Sequence, residues 1–400
     1  MISADPFGIM KILLLHNYYQ RQGGEDVAVA RERELLEAHG HDVRLYAVSN
    51  ETVKDKWDIV KTAWLTIYSR SARRDVADEI DRFRPDVVHV HNFFPLLTPS
   101  VYDACRAAAI PVIQSLHNYR LICVNTQFLR NGRVCELCLG KAFPWPGVLH
   151  NCWRNRAASG TVAAMVAVHR ILRTWTEKVD VYLTLTDFAR GKFIQAGLPA
   201  EKIVVKPNFV HPDPGVGSSR GDYALFAGRL VPEKGIATLL AAMERLRGRI
   251  PLKIVGAGPL TDQVRASARR IPNLEWVGQQ SPEGVLALMK DARVLIVPSI
   301  YYEGFATVIA EAYSVGLPVV ATQLGSLPSL IADGHSGLLF RRGDPDDLAA
   351  KLTWLWAHPR ERDEMRRGAR HEFEIKYSGA RNYEMLMAVY ARAMAHLRKN

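Results

Sequence analysis

The sequence predicts an α/β fold with two domains, each built around a parallel sheet. Its 400 residues suit two domains of ordinary size. Short apolar runs alternate with helical segments along the whole chain. The clearest unit is 294–322, where the apolar runs 295–298 and 317–321 are typical of strands buried on both faces. A helix between them is expected to begin near Gly304 and to end at Gly316, because glycine suits a left-handed helix end.

The first half of the chain repeats this alternation. Strands are expected at 11–16, 42–48, 87–91, 111–116 and 180–186. Helices are expected at 26–39, 57–83, 100–109, 157–175 and 188–196. We place the first domain at 10–208, and residues 1–9 are interpreted as a disordered leader because they lack the basic and apolar parts of a secretory signal.

The second half begins after a segment rich in proline, glycine and serine, which predicts a linker at 209–222. Strands are expected at 224–227, 252–255 and 274–277, and helices at 236–246 and 260–269. The second domain is placed at 223–377. A last amphipathic helix is expected in 378–400.

Composition limits the class of protein. Apolar content of 48% and charged content of 23% are typical of a soluble globular enzyme, and no apolar run is long enough for a transmembrane helix. We therefore expect a cytoplasmic location. The net charge of +11 suits an anionic partner. Nucleic acid is the weaker choice because no helix-turn-helix, aromatic RNA-binding strand or basic tail is present.

Two acidic residues mark the first candidate site. Glu303 directly follows a buried strand, at the edge where α/β proteins bind ligands, and Glu311 lies eight positions later. Along a helix this separation is roughly 12 Å. Free amides between Gly304 and Thr307 would face an anion. An acidic pair on a helix is more often a solvated face, but the position after the strand favours a site.

Three further signals also follow strands. Arg229 and Lys234 lie where a strand gives way to a helix, and two cations beside a helix N-terminus suit a diphosphate. Gly23-Gly24 before the first helix can form an anion site, although such a turn is commonly plain loop. His117 ends a strand on the ligand-binding side, where a single histidine is more often structural.

Glu303-Gly304-Phe305 followed by Glu311, together with Gly228-Arg229 and Glu233-Lys234-Gly235, resembles the motifs of retaining glycosyltransferases of family 4. The resemblance runs from about Lys11 to Asn400. It implies the GT-B fold, in which two Rossmann-like doubly wound domains face a cleft and the C-terminal helix returns to the first domain. It also implies roles in donor binding and catalysis for His117, Gly23, Gly24, Arg229, Lys234, Glu303, Gly304, Phe305, Ala306, Thr307 and Glu311.

In that family the first glutamate and the following amides hold the donor sugar, and the second glutamate holds the ribose. The two basic residues neutralise the leaving nucleotide, the Gly-Gly loop meets the diphosphate, and the histidine contacts the donor sugar. The resemblance thus implies transfer of a hexose from a UDP- or GDP-sugar to a saccharide or lipid-linked acceptor, in cell-surface or exopolysaccharide synthesis. The resemblance also implies that no divalent ion is needed for catalysis. A nucleotide-sugar epimerase of related fold and a non-catalytic sugar- or membrane-binding scaffold remain alternatives.

An insertion at 120–155 contains four cysteines with the spacing Cys-x11-Cys-x2-Cys-x13-Cys, namely Cys123, Cys135, Cys138 and Cys152. The spacing fits a tetrahedral structural zinc site. Little apolar periodicity is present there, so a metal would supply the missing stability. An iron–sulfur cluster, two disulfides or free thiols are alternatives, and His150 is a possible substitute ligand.

The basic excess is concentrated at 120–178, where nine Lys or Arg residues face two acidic ones, a net charge of +7. An apolar helix in this region is flanked by Arg154, Arg156, Arg170 and Arg173. One interpretation is a core helix with basic ends. The other is a helix that rests on an anionic membrane surface, on the cytoplasmic face.

Overall fold

A computed structural model describes residues 8–20, 23–52 and 65–397. The chain divides into two compact units. The first consists of Met1–Gln127, Glu136–Pro207 and Asn382–Asn400, and the second of Phe128–Cys135 and Asn208–Arg381. Each unit contains one six-stranded parallel sheet. The expected α/β class with parallel sheets is therefore confirmed.

The sheet of the first unit has the order β2-β1-β3-β4-β7-β8. Its inner strands β1, β3 and β4 are almost entirely buried, which explains their continuous apolar character. A short antiparallel hairpin, β5-β6, belongs to the second unit. In chain order the strands are β1 Lys11–Tyr18, β2 Asp42–Ser49, β3 Val87–Asn92, β4 Val112–Leu116, β5 Leu129–Arg130, β6 Arg133–Val134, β7 Val181–Thr184 and β8 Ile203–Val205.

Seven α-helices of the described chain lie in this unit before β8. They are α1 Gly24–Ala38, α2 Arg70–Phe83, α3 Val101–Ala107, α4 Trp145–Leu149, α5 Arg156–Ile171, α6 Thr174–Glu177 and α7 Asp187–Gln195. The C-terminal helix Gly379–Leu397 contributes its residues from Asn382 onward. There Tyr383 and Tyr390 hydrogen-bond to His41 and His89, at 2.8 and 3.0 Å, so this helix is part of the first unit's core as expected.

Two long helices expected from the sequence are interrupted. The helix expected at 57–83 is broken at 66–69, after a helical Leu65, and a new helix begins at Arg70, where the Ser69 side chain caps it by accepting a hydrogen bond from the Ala72 amide. The part of that expectation at 57–64 lies outside the described residues. The helix expected at 157–175 breaks at Arg173, whose φ of 55° is left-handed. Apolar periodicity continued through both breaks, so it could not reveal them.

The sheet of the second unit has the order β11-β10-β9-β12-β13-β14. Its strands are β9 Ala224–Ala227, β10 Leu252–Val255, β11 Leu274–Gly278, β12 Val294–Val297, β13 Val319–Thr322 and β14 Gly337–Phe340. The helices are α8 Ile236–Leu246, α9 Thr261–Arg270, α10 Pro282–Asp291, α11 Thr307–Ser314, α12 Leu327–Leu330, α13 Pro345–Ala357 and α14 Pro359–Glu372. A core of buried aliphatic side chains from the sheet and from α8 and α13 holds this unit together.

Strand order fixes where each unit can bind a ligand. In both sheets the first strand lies between its successor and a later strand, β1 between β2 and β3, and β9 between β10 and β12. The chain therefore reverses direction across the sheet at β1/β3 and at β9/β12. Loops diverge at such a switch point and leave a crevice at the carboxyl ends of the strands. Within the described residues, no helix has both the length and the apolar character needed to cross a membrane.

Candidate functional site

The switch point of the second unit brings together two motifs that are far apart in sequence. Lys234 ends a short turn after β9, and Glu303 follows β12. The Lys234 ammonium lies 2.7 Å from the Glu303 carboxylate. A backbone hydrogen bond of 2.9 Å from the Ile300 amide to the Glu233 carbonyl ties the two loops together. The structure thus places these two sequence-predicted residues in one cluster.

The Glu303 carboxylate is buried and receives three hydrogen bonds. Lys234 and Ser299 donate to Oε1 at 2.7 and 2.6 Å, and the Tyr301 hydroxyl donates to Oε2 at 2.5 Å. Burial raises the pKa of Glu303, but the charge of Lys234 and these hydrogen bonds outweigh it, so the net pKa is lowered. Glu303 is therefore ionised at neutral pH and held in one orientation.

Lys234 differs from its partner in exposure. Its side chain is 22% exposed, whereas that of Glu303 is 4% exposed. Arg229, in the same loop, is exposed, and its charge lowers the pKa of Tyr301 against the larger raising effects of burial and Glu303. Two cations at one crevice thus remain accessible to an anionic ligand.

Glycine is required where the loops cross. Gly235 has a φ of 75°, and a Cβ there would lie 1.8 Å from the Pro298 carbonyl oxygen. Gly256, after β10, would place a Cβ 2.0 Å from the Gly228 carbonyl oxygen. A side chain at Gly235 would therefore push apart the loops that carry Lys234 and Glu303, and one at Gly256 would push the loop after β10 away from the loop after β9.

The helix after Glu303 begins later than expected. The sequence placed its first turn at Gly304 to Thr307, but α11 starts at Thr307 with Ala306 as its N-cap. Phe305 is buried and its ring lies 5.8 Å from that of Tyr377, which holds this stretch as a packed loop. Thr307 therefore supplies the first amide of the helix, while Gly304, Phe305 and Ala306 precede it. Glu311 lies in the second turn of α11 and is partly buried.

The switch point of the first unit carries a histidine cluster instead. His89 and His91 project from β3, and their rings stack at 4.2 Å. Both approach Glu32 Oε1 of α1, at 3.0 and 3.3 Å. Lys206 donates to Glu32 Oε2 at 2.8 Å. Burial raises the pKa of Glu32, but Lys206 and the two histidines outweigh it and lower the pKa well below its usual range. The three ligand-type groups Glu32, His89 and His91 are close enough to hold a metal ion, but Lys206 already neutralises the carboxylate.

His117 lies at the end of β4 beside this cluster. Its Nε2 atom is 3.1 Å from His91 Nδ1. The ring lines a small pocket of about 20 Å³ together with Glu25, Asn118 and Arg120. Burial lowers the pKa of His117 well below its usual value, so the ring is neutral. Arg120 is buried between the rings of Phe94 and Trp153, with its guanidinium carbon 4.3 and 4.4 Å from their centres.

Glu25 in this pocket was missed by sequence reasoning. It accepts hydrogen bonds from Tyr19 and Asn118, at 3.0 and 3.4 Å. Burial raises its pKa to about 8, so it is mostly protonated at neutral pH. The signal in the sequence was an acidic residue directly after the Gly23-Gly24 pair. Ser299 and Tyr301, which hold Glu303, were also missed, because a serine and a tyrosine after a strand are common.

The predicted Gly-Gly loop forms the N-terminus of α1. Gly23 is its N-cap, and the Gly23 amide donates to Asp26 Oδ2 at 2.7 Å. Asp26 Oδ1 in turn lies 2.7 Å from His16 Nε2. Gly24 is the first helical residue and is exposed.

The cysteine-rich insertion has no disulfide among its described residues. In the described part of the chain, no three of the insertion's cysteine thiols lie within 4.8 Å of one another. Cys138 Sγ lies 3.4 Å from the position that a Cβ of Gly147 would take, and the Cys152 amide donates to the Gly147 carbonyl at 2.9 Å. Val124, next to Cys123, also contacts this position. Cys135 follows the β5-β6 hairpin and is counted with the second unit.

Comparisons with known proteins match both halves of the chain. Residues 23–208 match the family Glycosyl transferase 4-like domain, and residues 216–372 match Glycosyl transferases group 1. The phosphatidyl-myo-inositol mannosyltransferase of Mycobacterium leprae is 30% identical over 226 residues, which are 51% of this chain and 60% of that protein. The D-inositol 3-phosphate glycosyltransferase of Streptomyces bingchenggensis is 33% identical over 191 residues, 44% of this chain and 41% of the relative. The chain thus spans about half the length of these relatives.

Solved structures resemble the whole fold. The HepE protein of Anabaena, crystallised with UDP and glucose, is similar with a TM-score of 0.68 and 17% identity, over 96% of this chain and 99% of that one. At this identity the likeness concerns the fold. The first half of the chain is therefore similar to the glycosyl transferase 4-like domain and the second half to glycosyl transferases group 1, and the two α/β units have the GT-B type of fold.

Proposed function

We propose that the protein is a retaining glycosyltransferase that takes a hexose from a UDP- or GDP-sugar and transfers it to a saccharide or lipid-linked acceptor. The observation that carries this proposal is the Lys234–Glu303 pair at the switch point of the second unit, with Arg229 in the same loop. The accessible cations can bind the negatively charged diphosphate of a nucleotide sugar, and the rigidly held carboxylate can bind hydroxyl groups of its uncharged sugar.

Charge stabilisation is the proposed source of catalysis. As the bond between sugar and diphosphate breaks, negative charge grows on the leaving nucleotide. Lys234 and Arg229 stabilise that charge, and the amides at the start of α11 act in the same direction. Glu303 holds the donor sugar, since its carboxylate is ionised and fixed by Ser299 and Tyr301. His117 contacts the donor sugar, and no metal ion is required for these steps.

A donor panel tests the proposal. The full chain is incubated with UDP- and GDP-sugars, and nucleotide release is followed with and without saccharide and polyprenyl-phosphate-linked acceptors. Acceptor-dependent release that falls in the Lys234→Ala variant supports the proposal. Conversion of the donor to its epimer without an acceptor would make the protein an epimerase. Donor binding without any release would make it a scaffold.

We also propose that the insertion holds a structural zinc ion. The proposal rests on the spacing of the four cysteines in the sequence. Elemental analysis of protein purified without chelator should find about one zinc per chain. Cys105→Ser is the matched control, because Cys105 is buried outside the insertion and burial raises its pKa to about 12. If the analysis finds iron and inorganic sulfide, the insertion holds an iron–sulfur cluster and the zinc proposal is wrong. Protein that contains no metal would also contradict the proposal.

An anionic membrane is the proposed partner of the first unit. The face of α5 with Val162, Met165 and Val166 is buried, as expected of a core helix, so apart from its exposed last residue, Ile171, this helix does not supply the apolar contact. The insertion supplies the apolar contact with the membrane, because Trp145 and Leu149 lie one turn apart on α4 and are 52% and 53% exposed. Lys141 lies 5.8 Å from the Trp145 ring, and Arg170 donates to the Lys141 carbonyl at 3.2 Å. Exposed apolar side chains can insert into a lipid surface, and the neighbouring cations can bind its anionic headgroups.

Vesicle co-sedimentation tests this partner. Binding should require anionic lipid and should weaken with salt, because screening limits the attraction to about 8 Å at physiological ionic strength. The paired change Trp145→Ser and Leu149→Ser should weaken binding, as should replacement of Arg154, Arg156, Arg170 and Arg173 by Gln. Ile375→Ser, at an exposed apolar residue of the second unit, is the control. Equal binding to neutral and anionic vesicles would contradict the proposal.

A further inference from the structure

The histidine cluster contains a continuous line of polar contacts that ends at His117. Glu32 Oε1 lies 3.3 Å from His91 Nε2, and His91 Nδ1 lies 3.1 Å from His117 Nε2. Glu32 Oε1, His91 Nε2 and His117 Nδ1 are all buried, and none of the three forms a hydrogen bond in the part of the chain that the structure describes, so the 3.3 Å approach of Glu32 to His91 is an electrostatic contact. A buried ring nitrogen without a partner is uncommon in a folded protein.

The contacts determine which ring nitrogen carries the proton. A lone pair on His91 Nε2 would face a carboxylate oxygen at 3.3 Å, and the two would repel. The proton of His91 therefore belongs on Nε2, which leaves its Nδ1 as an acceptor. His117 must then donate from Nε2, which leaves a lone pair on its own Nδ1.

The surroundings keep both rings neutral, as this assignment requires. His91 is packed against His89 at 4.2 Å, His117 at 5.4 Å and His16 at 6.5 Å between ring centres. Adding a second positive charge beside Lys206 in this buried space is unfavourable. Burial, reinforced by His89, lowers the pKa of His91 to about 3.

We infer that Glu32 and His91 are positioning residues that fix His117 in the tautomer with a proton on Nε2 and a lone pair on Nδ1. His117 then offers a hydrogen-bond acceptor to a hydroxyl group, such as that of a sugar, at the pocket shared with Glu25 and Asn118. The inference rests on the proposed function for the identity of the hydroxyl donor. The tautomer itself does not depend on it.

Two variants of His91 separate positioning from packing. In His91→Asn, the amide oxygen takes the place of Nδ1 and continues to accept from His117. In His91→Leu, the acceptor is lost while apolar volume is kept. Loss of an orienting partner of this kind commonly costs about 10- to 100-fold in activity. We therefore expect kcat/KM to fall by about that factor in His91→Leu and to be mostly restored in His91→Asn.

Nitrogen NMR of the full chain labelled at histidine reads the tautomer directly. The signals of His117 and His91 are assigned by their loss in His117→Gln and His91→Asn. In the wild type at neutral pH, both rings should be neutral with the proton on Nε2, and His117 should lose this preference in His91→Leu. A His117 protonated on Nδ1, a charged His117, or an unchanged spectrum in His91→Leu would overturn the inference. If His91→Leu fails to fold, the wild-type spectrum alone decides. A correct tautomer in a protein that transfers no sugar would leave this inference standing and would refute the proposed function.

Discussion

Each unit buries a glutamate that is paired with a lysine, and the two pairs differ in one respect. Lys206 and Glu32 in the first unit are 2.8 Å apart, and Lys234 and Glu303 in the second are 2.7 Å apart. In both pairs, burial raises the pKa of the carboxyl group, but the charges of its partners lower the pKa by more, so the net pKa is lowered. The first lysine side chain is only 5% exposed, whereas the second is 22% exposed.

We propose that this difference in exposure separates a structural ion pair, Lys206–Glu32, from a ligand-binding one, Lys234–Glu303. Lys206 also donates to Asn382 at 3.1 Å, so its ammonium is enclosed by protein acceptors. The Lys234 side chain is partly exposed and lies in the same loop as Arg229. A ligand anion can therefore contact the Lys234 ammonium while that group still pairs with Glu303. Equal distances therefore do not imply equal roles. The exposure of the cation decides whether the pair can serve an outside partner.

The largest expected effect is on stability. Lys206→Ala leaves the buried Glu32 carboxylate without its cation, and breaking a buried pair commonly costs about 3–5 kcal/mol. The free energy of unfolding, measured in urea by circular dichroism, should fall by about that amount. An unfolding midpoint equal to that of the wild type would remove the structural role of this pair.

The next effect is on turnover. Lys234→Ala removes a cation that stabilises the leaving diphosphate, and loss of one such group costs about 10²–10³ in kcat. Lys351→Ala, in α13 and outside the loops of the site, is the matched control for loss of a lysine. Turnover is followed as nucleotide release from saturating donor. Near-normal turnover in Lys234→Ala would show that the exposed pair has no catalytic role.

A smaller effect is expected at Glu311. A ribose contact binds the ground state and the transition state alike, so its loss raises KM and leaves kcat unchanged. Glu311→Ala should raise the donor KM by about 10- to 100-fold, the range for hydrogen bonds to a charged group. If kcat fell at constant KM, Glu311 would belong with the Lys234–Glu303 pair instead.

The last expected effect is a pH dependence of stability. The pKa of Glu25 is raised from 4.5 to about 8 in the folded protein by burial, so the folded state keeps a proton that the unfolded state releases in this window. Its contribution to stability is complete below about pH 4.5 and is lost as the pH rises to about 8. Glu25→Gln should remove this slope from unfolding curves taken between pH 5 and 8. A slope unchanged by the variant would contradict the raised pKa.

The sequence predicted the parallel sheets well, because strands buried on both faces read as continuous apolar runs. Strands β9 and β10 matched residue by residue. Breaks within apolar periodicity were missed, as at Arg173. The start of α11 was also missed, because the packing of Phe305 against Tyr377 depends on residues distant in sequence. Motifs of glycine and charged residues identified Lys234 and Glu303 as candidate site residues. Their pairing could not be predicted, because it depends on β9 and β12 being neighbours in the sheet.

Contacts between residues that are distant in sequence could not be predicted from the sequence. The sequence alone does not mark Glu32, His89 and His91 as a cluster, because Glu32 lies in α1 and the two histidines lie in β3, more than 50 residues later. Only the fold brings Glu32 to Lys206 and places His91 beside His117. The two Lys–Glu pairs could not be told apart without the exposure of each lysine.

Calorimetric titration with UDP and GDP tests the central claim that the Lys234–Glu303 pair is the nucleotide clamp. The wild type should bind at least one of the two nucleotides, Lys351→Ala should bind it equally well, and Lys234→Ala should bind it at least about tenfold more weakly, which corresponds to about 1.4 kcal/mol. Equal affinity in Lys234→Ala and the wild type, or no binding of either nucleotide to the wild type, would contradict it.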